Sequence, residues 1–124
     1  MTGTDFNHVA KERFEDAKAL RAAGRFAGAI YLCGYAIECA LKASICQHQQ
    51  WAEYKLDPDY RLMKTHSFEF LISFSGKEAE IRKNLITEWT VLKEWGPDWR
   101  YRTEPTTNTD EIFWATETIL KVLL

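Results

Sequence analysis

The chain has 124 residues, which is enough for one domain that buries most of a hydrophobic core. Hydrophobic residues make up 46% of the chain and aromatic residues 14%, a composition that excludes intrinsic disorder. The formal net charge is -2, which argues against a domain that coats nucleic acid non-specifically, because such binding comes from many Lys and Arg contacts to phosphate. Any contact with nucleic acid must therefore be local.

The hydrophobic segments predict neither a membrane span nor a signal peptide. The most apolar segment is interrupted by Glu38 and Lys42, so it falls short of the roughly 20 apolar residues that cross a bilayer. The first 18 residues are too charged for the apolar part of a signal peptide. We therefore expect a cytoplasmic protein. Its cysteines all lie on one predicted helix, too far apart for a disulfide, and should be free, buried thiols: Cys33, Cys39 and Cys46.

Apolar residues at helical spacing predict a first helix over residues 5–23 and a second over residues 26–48. Thr4 or Asp5 is placed to cap the first helix. Gly24 fits the position just past its end, where a left-handed backbone is favourable only for glycine. The first two helices are therefore expected to form a hairpin.

The connection over residues 49–64 is polar and aromatic, and Pro58 within it should stop helix propagation. Thr65 or Ser67 then caps a short third helix that ends near Ser75. We expect a turn around Pro58.

A fourth helix is predicted over residues 77–95, followed by a loop over residues 98–109. The last helix begins at Thr107 and Asp110, which resemble a capping box. No segment alternates with period two for long enough to predict a strand. The predicted fold class is all-α, an antiparallel up-and-down bundle of about four main helices plus one short one, forming one domain over residues 1–124.

The second helix has two different faces. Residues spaced by three and four form a core stripe: Ile30, Cys33, Ile37, Leu41 and Ile45. Rotated away from it, amphipathic and charged residues at the same spacing form a second, polar stripe: Tyr31, Tyr35, Glu38 and Lys42. We expect the polar stripe to face a second subunit, a polar pocket or a ligand.

Three segments resemble the HEPN domains, a family of small helical proteins linked to nucleotide and RNA biology. The segment G-R-F-x-G-A-I-Y-L-x-G-Y-A-I-E-x-A-L-K-A, residues 24–43, is similar to the family's second helix. Lys64-Thr-His-Ser-Phe68 with Leu71 resembles its Thr-His element, and Trp99-Arg-Tyr-Arg102 resembles its Arg-Tyr element. The three segments follow the family order. They identify the chain as similar to the small stand-alone prokaryotic members, with a HEPN-like bundle.

The resemblance implies a nucleotide or RNA ligand and a minimal nucleotidyltransferase as partner, in a toxin-antitoxin or stress-related system. The polar stripe and the aromatic content predict, in addition, a homodimer. On this basis we expect a non-catalytic module. A helical dimer whose pocket binds a small metabolite, or nothing specific, stays open as a further interpretation.

Arg61 and His66 are the sharpest catalytic candidates, because active HEPN ribonucleases carry an arginine followed by a histidine after four to six residues. The cation would stabilise charge on the phosphorane, and the imidazole would move a proton. The context differs, since the active pair is expected near the last helix and the dimer seam, with a polar residue after the arginine, whereas Leu62 follows Arg61. A metal-independent endoribonuclease using this pair is the alternative function. In the other interpretation His66 or Thr65 satisfies amide groups at the start of a helix.

The segment Trp99, Arg100, Tyr101, Arg102 alternates aromatic and guanidinium groups, which suits stacking on a base while binding a phosphate. In the other interpretation, the aromatic residues anchor the loop to the core and the arginines pair with nearby acidic residues. The two interpretations are compatible, because an anchored loop positions its arginines well.

Glu38 lies in the middle of an apolar helix, where a buried, unpaired carboxylate costs several kcal/mol. We expect Arg100, of the same or the partner subunit, to pair with it, and an exposed pair with Lys42 is the alternative. Cys46 and His48 diverge on their helix and no second ligand pair accompanies them. We therefore expect no metal and no cofactor.

Overall fold

All regular structure in the described part of the chain is helical. The computed structural model describes residues 1–105 and 108–124. Six α-helices follow one another in the described ranges: α1 (Gly3–Ala22), α2 (Phe26–Gln49), α3 (Phe68–Ile72), α4 (Glu78–Asn84), α5 (Ile86–Leu92) and α6 (Thr109–Leu123). Two short 3₁₀ helices, Pro58–Met63 and Pro97–Tyr101, lie where the sequence predicted a turn around Pro58 and a loop from residue 98. The predicted all-α class is confirmed.

Helix α1 begins with a capping box. The Thr2 hydroxyl accepts a hydrogen bond from the backbone N–H of Asp5 at 3.1 Å, and the Asp5 carboxylate accepts one from the Thr2 N–H at 2.9 Å. The prediction of Thr4 or Asp5 as the cap was wrong, because the reciprocal bonds place Asp5 at the third helical position. The backbone hydrogen bond of Thr2 is also the main reason why the pKa of Asp5 is lowered.

Helix α1 ends as the glycine predicted. Gly24 has a φ of +74°, in the left-handed region. The N–H of Arg25 donates to the carbonyl of Leu20 at 2.8 Å, and the N–H of Gly24 donates to that of Arg21 at 3.0 Å. These two bonds form a Schellman motif. The chain therefore reverses over three residues, and α1 and α2 pack as a helical hairpin.

Helix α2 is the centre of the core. It contacts α1, α3 and α6, and all five residues of the core stripe are buried. Gly34 lets the indole of Trp95 approach the helix, because a Cβ at this position would lie 2.1 Å from that ring. Trp95 in turn donates from Nε1 to the carbonyl of Tyr31 at 3.1 Å and stacks on Phe68 with ring centroids 5.2 Å apart.

Helix α2 is also long and apolar enough to cross a membrane by length and composition. In its most apolar 18-residue window, 78% of the residues are buried inside the protein. A core helix of a folded domain has the same properties, so the length and hydropathy of α2 follow from its central position.

The predicted fourth helix is broken. Leu85 has φ -130° and ψ 32°, outside the helical region, and separates α4 from α5. The residues that follow include several β-branched side chains, which are weaker helix formers than the straight-chain residues: Ile86, Thr87, Thr90 and Val91. Ile81 of α4 and Trp89 of α5 are nevertheless both fully buried, so the helices on either side of the break both pack against the core.

Helix α6 is capped by Asn108, whose side chain accepts a hydrogen bond from the backbone N–H of Glu111 at 3.1 Å. The predicted capping box used Thr107, which lies outside the described residues. Its other member, Asp110, forms an ion pair with Arg21 instead. This pair joins the start of α6 to the end of α1.

Candidate functional site

The polar stripe of α2 is partly covered by other segments of the same chain. The rings of Tyr31 and Tyr35 stack with centroids 6.4 Å apart, and Tyr31 also stacks on Trp95 at 5.8 Å. Both tyrosines are half-buried. Desolvation raises the pKa of Tyr35, and its neighbour Cys39 adds to that effect. Each of the two tyrosine side chains is therefore partly covered by the protein and partly accessible to solvent.

Glu38 is buried and carries two partners. Its residue is 3% exposed, and its carboxylate accepts a hydrogen bond from Lys42 Nζ at 3.1 Å and lies 2.7 Å from Nδ1 of His66. The expected pairing with Arg100 is wrong within the chain, since Arg100 faces Tyr101. The link that precedes α3 runs close to α2 and brings His66 to the carboxylate instead.

Lys42 is enclosed by aromatic rings. Its side chain is 12% exposed, and Nζ lies 5.4 Å from the ring centroid of Tyr54 and 5.9 Å from that of Phe6. Tyr54 is itself buried, and its hydroxyl donates to the carbonyl of Met63 at 2.6 Å. Burial raises the pKa of Tyr54 well above its ordinary value. Lys42 and Glu38 thus form an ion pair, which is the alternative pairing for Glu38. The pair is buried, however, whereas the alternative predicted an exposed pair.

The side chain of His66 is 58% exposed although its Nδ1 is bound to a buried carboxylate. A carboxylate accepts hydrogen bonds only, so Nδ1 carries the hydrogen and Nε2 is the nitrogen that faces solvent. Arg61 is exposed in the Pro58–Met63 segment. Ser67, one of the two predicted caps, caps α3, since its hydroxyl accepts from the N–H of Phe70 at 3.3 Å. The Thr65 hydroxyl accepts from the N–H of Ser67 at 3.1 Å just before the helix, while His66 bonds Glu38.

The segment Trp99–Arg102 is both an anchor and an exposed surface. Trp99 is buried, and the guanidinium of Arg102 lies 4.1 Å from its ring centroid. Arg100 donates to the Tyr101 hydroxyl at 3.0 Å, and the Tyr101 side chain is 74% exposed. The hydrogen bond with Tyr101, together with the neighbouring Tyr31, raises the pKa of Arg100. Of the two interpretations, anchoring holds for Trp99, while the exposed Tyr101 has the guanidinium of Arg100 at 4.9 Å from its ring centroid.

A groove of about 690 Å³ lies between the start of α2 and this segment. We call it the arginine groove; its charged and aromatic lining residues are Arg25, Phe26, Arg100, Arg102 and Glu104. Three arginines and one glutamate thus line the same space, together with the half-exposed Phe26. The sequence analysis did not select Arg25 and Phe26 as site residues. Their adjacency to Gly24, at the reversal between α1 and α2, was the available signal.

The predicted site residues therefore divide between two places. Tyr31 lies at the end of the polar stripe near Arg100, whereas Lys42 lies near His66. Tyr31 and Lys42 are eleven positions apart along the helix, which corresponds to about 16 Å. The arginine groove and the pair of Glu38 and His66 are consequently two separate candidate sites.

The cysteines and the metal-binding residue types add no third site. All three cysteines are free and buried, and desolvation raises the pKa of Cys33 to about 12 and that of Cys39 to about 11. Such thiols are poor nucleophiles. Within residues 1–105 and 108–124 no group of three His, Cys, Asp or Glu side chains is placed to hold a metal ion.

The chain was also compared with known proteins. No protein-family description, no curated protein and no solved structure matches it.

Proposed function

We propose that the protein is a HEPN-like, non-catalytic module that binds a nucleotide or a short stretch of RNA in the arginine groove. The observation that carries the proposal is the grouping of Arg25, Arg100 and Arg102 around one groove, beside the half-exposed Phe26. The helical hairpin of α1 and α2, with α6 packed on α2, supports a HEPN-like antiparallel bundle.

The groove has the two kinds of group that a nucleotide needs. Guanidinium groups bind phosphate oxygens through paired N–H donors. Phe26 offers a ring face on which a base can stack, an interaction worth about 1–3 kcal/mol per base. Three arginines give a small footprint, in keeping with a chain whose net charge is -2. The expected ligand is therefore short or single-stranded, not a long duplex.

The described lining residues of the groove include no histidine and no cysteine, two of the residue types that move protons near neutral pH. Arginine stays protonated, and Glu104 is the one carboxylate among the described lining residues. This composition supports binding without cleavage, and it is the reason for proposing a module and not a nuclease.

The proposal includes a homodimer and a minimal nucleotidyltransferase as partner, in a cytoplasmic toxin-antitoxin or stress-related system. Ile86 on α5 and Trp114 on α6 support the dimer, since both are about half exposed and the two helices pack against each other. Large apolar side chains on adjacent helices are typical of an interface between subunits.

Binding of a fluorescently labelled single-stranded RNA and of ATP, followed by anisotropy, tests the proposal. The double variant Arg25→Glu, Arg100→Glu should weaken binding by at least about tenfold, or 1.4 kcal/mol. Lys83→Glu is the matched control, because it reverses one exposed charge on α4, outside the groove. Equal affinity of the wild type and the double variant would contradict the proposal, as would equal losses in both variants.

The contact of Glu38 with His66 favours a second candidate, a metal-independent endoribonuclease that uses Arg61 and His66. A carboxylate on Nδ1 orients the ring and leaves Nε2 as the proton acceptor, an arrangement found in catalytic histidines. Cleavage of RNA without metal by the wild type decides between the candidates. Robust cleavage that is lost in His66→Ala would make this second candidate the function.

A further inference from the structure

The connection between α2 and α3 contains an aromatic corner, formed by Trp51 and Tyr60. Their ring centroids lie 5.4 Å apart and their planes meet at 73°. The ammonium of Lys55 sits in this corner, 5.3 Å from the ring centroid of Trp51 and 4.6 Å from that of Tyr60. Two ring faces thus converge on one cation.

Lys55 binds the rings although carboxylates are plentiful beside it in the sequence. Glu53 and Asp57 line the same open cleft of about 700 Å³ as Lys55, and both are exposed. Lys55 nevertheless forms none of the ion pairs found in the described part of the chain. The corner therefore holds a cation through its ring faces. Glu53 and Asp57, in the neighbouring cleft, add a negative potential that favours positive charge.

The walls of the corner are fixed by contacts that do not involve Lys55. The N–H of Trp51 donates to the carbonyl of Cys46 at 2.9 Å, and the Trp51 ring packs edge-on against the buried Tyr54 with centroids 6.2 Å apart. The N–H of Tyr60 donates to the carbonyl of Asp57 at 2.8 Å. The corner should therefore persist when the lysine side chain leaves it.

We propose that the aromatic corner is a binding site for small quaternary ammonium ions, and that Lys55 is a built-in occupant which such a ligand displaces. A primary ammonium is strongly hydrated and sits on a flexible stem, so it leaves the corner at low cost. A trimethylammonium group is the cation that aromatic cages recognise, because its methyl groups contact the rings while its charge remains. Tyr60 is 37% exposed, so a ligand can enter from solvent.

The presence of the Lys55 side chain in the corner leads to a quantitative prediction for ligand binding. If Lys55 fills the corner most of the time, the apparent dissociation constant is the intrinsic one divided by the fraction of open corners. Removing the lysine ammonium should then tighten binding, whereas removing a ring should weaken it. A site that merely anchors the loop would give no tightening.

Choline is the probe, and its uncharged analogue 3,3-dimethyl-1-butanol, which has the same shape, is the control ligand. Titrations followed by chemical shifts of the Trp51 indole should show binding of choline and none of the alcohol. Lys55→Gln should bind choline at least about fivefold more tightly than the wild type. Tyr60→Leu, which keeps apolar bulk, should bind it at least about fivefold more weakly.

Two controls separate the corner from its surroundings. Lys64→Gln removes another exposed lysine of the same connection and should leave choline binding unchanged, and so should Arg25→Glu in the arginine groove. The proposal is overturned if Lys55→Gln binds choline no more tightly than the wild type, or if the alcohol binds as well as choline. It is also overturned if Tyr60→Leu binds choline as tightly as the wild type while its far-ultraviolet circular dichroism is unchanged.

Discussion

The carboxylate of Glu38, in the buried middle of α2, lies 2.7 Å from Nδ1 of His66 in the link before α3. The same carboxylate accepts a hydrogen bond from Lys42 one helical turn further on. A single buried acid therefore joins the polar stripe to the connection between α2 and α3. Because a buried charge costs several kcal/mol without partners, these contacts account for its presence in an apolar helix.

Replacing Glu38 with Gln should destabilise the fold by about 1–3 kcal/mol, because the largely buried ammonium of Lys42 loses its charged partner. Urea denaturation followed by circular dichroism measures this free energy of unfolding. Glu80→Gln, an exposed residue of α4, is the matched control and should change it by less than about 0.5 kcal/mol. A loss below about 0.5 kcal/mol for Glu38→Gln as well would show that the pair contributes nothing.

Gly34→Ala should destabilise the protein by about 1–3 kcal/mol, because the new Cβ would lie 2.1 Å from the buried indole of Trp95. Gly28→Ala is the control in the same helix. Its Cβ would lie 3.4 Å from the flexible end of Leu20, so the higher helix propensity of alanine should make the change neutral or stabilising by up to about 1 kcal/mol. Thermal unfolding of both variants checks the prediction, and the opposite order of stability would refute the packing of Trp95 on α2.

Stability should fall at alkaline pH because of the buried thiol of Cys33. Burial raises its pKa from the ordinary value of 9.0 to about 12 in the folded protein. The unfolded chain releases the proton first, so the contribution of Cys33 is complete below about pH 9 and is lost as the pH rises toward 12. Between about pH 8 and 10.5 the wild type should lose about 2 kcal/mol more than Cys33→Ala. Urea denaturation at the two pH values measures both, and parallel losses would show that the thiol is not buried as described.

The homodimer should appear in multi-angle light scattering as twice the monomer mass, independent of dilution in the micromolar range. Trp114→Glu should shift the mass toward the monomer, because it replaces an exposed indole of α6 with a charge. Leu62→Glu is the control, since Leu62 is 69% exposed but lies in the Pro58–Met63 turn. A wild type that is monomeric at all concentrations would refute the dimer.

Periodicity in the sequence predicted the core helix well. The second helix was expected over residues 26–48 and spans Phe26–Gln49, and its core stripe is buried throughout. Gly24 marked the end of α1 correctly, because a left-handed position has a strong residue preference. Local rules of this kind act over one or two helical turns, and there sequence patterns are informative.

The contacts that build the candidate sites depend on longer separations. Glu38 and His66 are 28 residues apart, and the path of the aperiodic connection between them has no periodic signal. The pairing of Arg100 with Glu38 was expected from the family resemblance and from the chemistry of a guanidinium beside a carboxylate, which predicted a charged partner correctly but not its identity. The break at Leu85 was missed for the opposite reason, because the apolar spacing continues across it.

Chemical-shift mapping of the ¹⁵N-labelled protein with a short single-stranded RNA tests the central claim most directly, because it locates the ligand on the chain. The proposed function predicts that the shifts concentrate in the residues that line the arginine groove, 24–28, 100 and 102–105. It further predicts that they disappear in the variant Arg25→Glu, Arg100→Glu. Shifts concentrated around Arg61 and His66, or an absence of shifts at saturating RNA, would contradict the account.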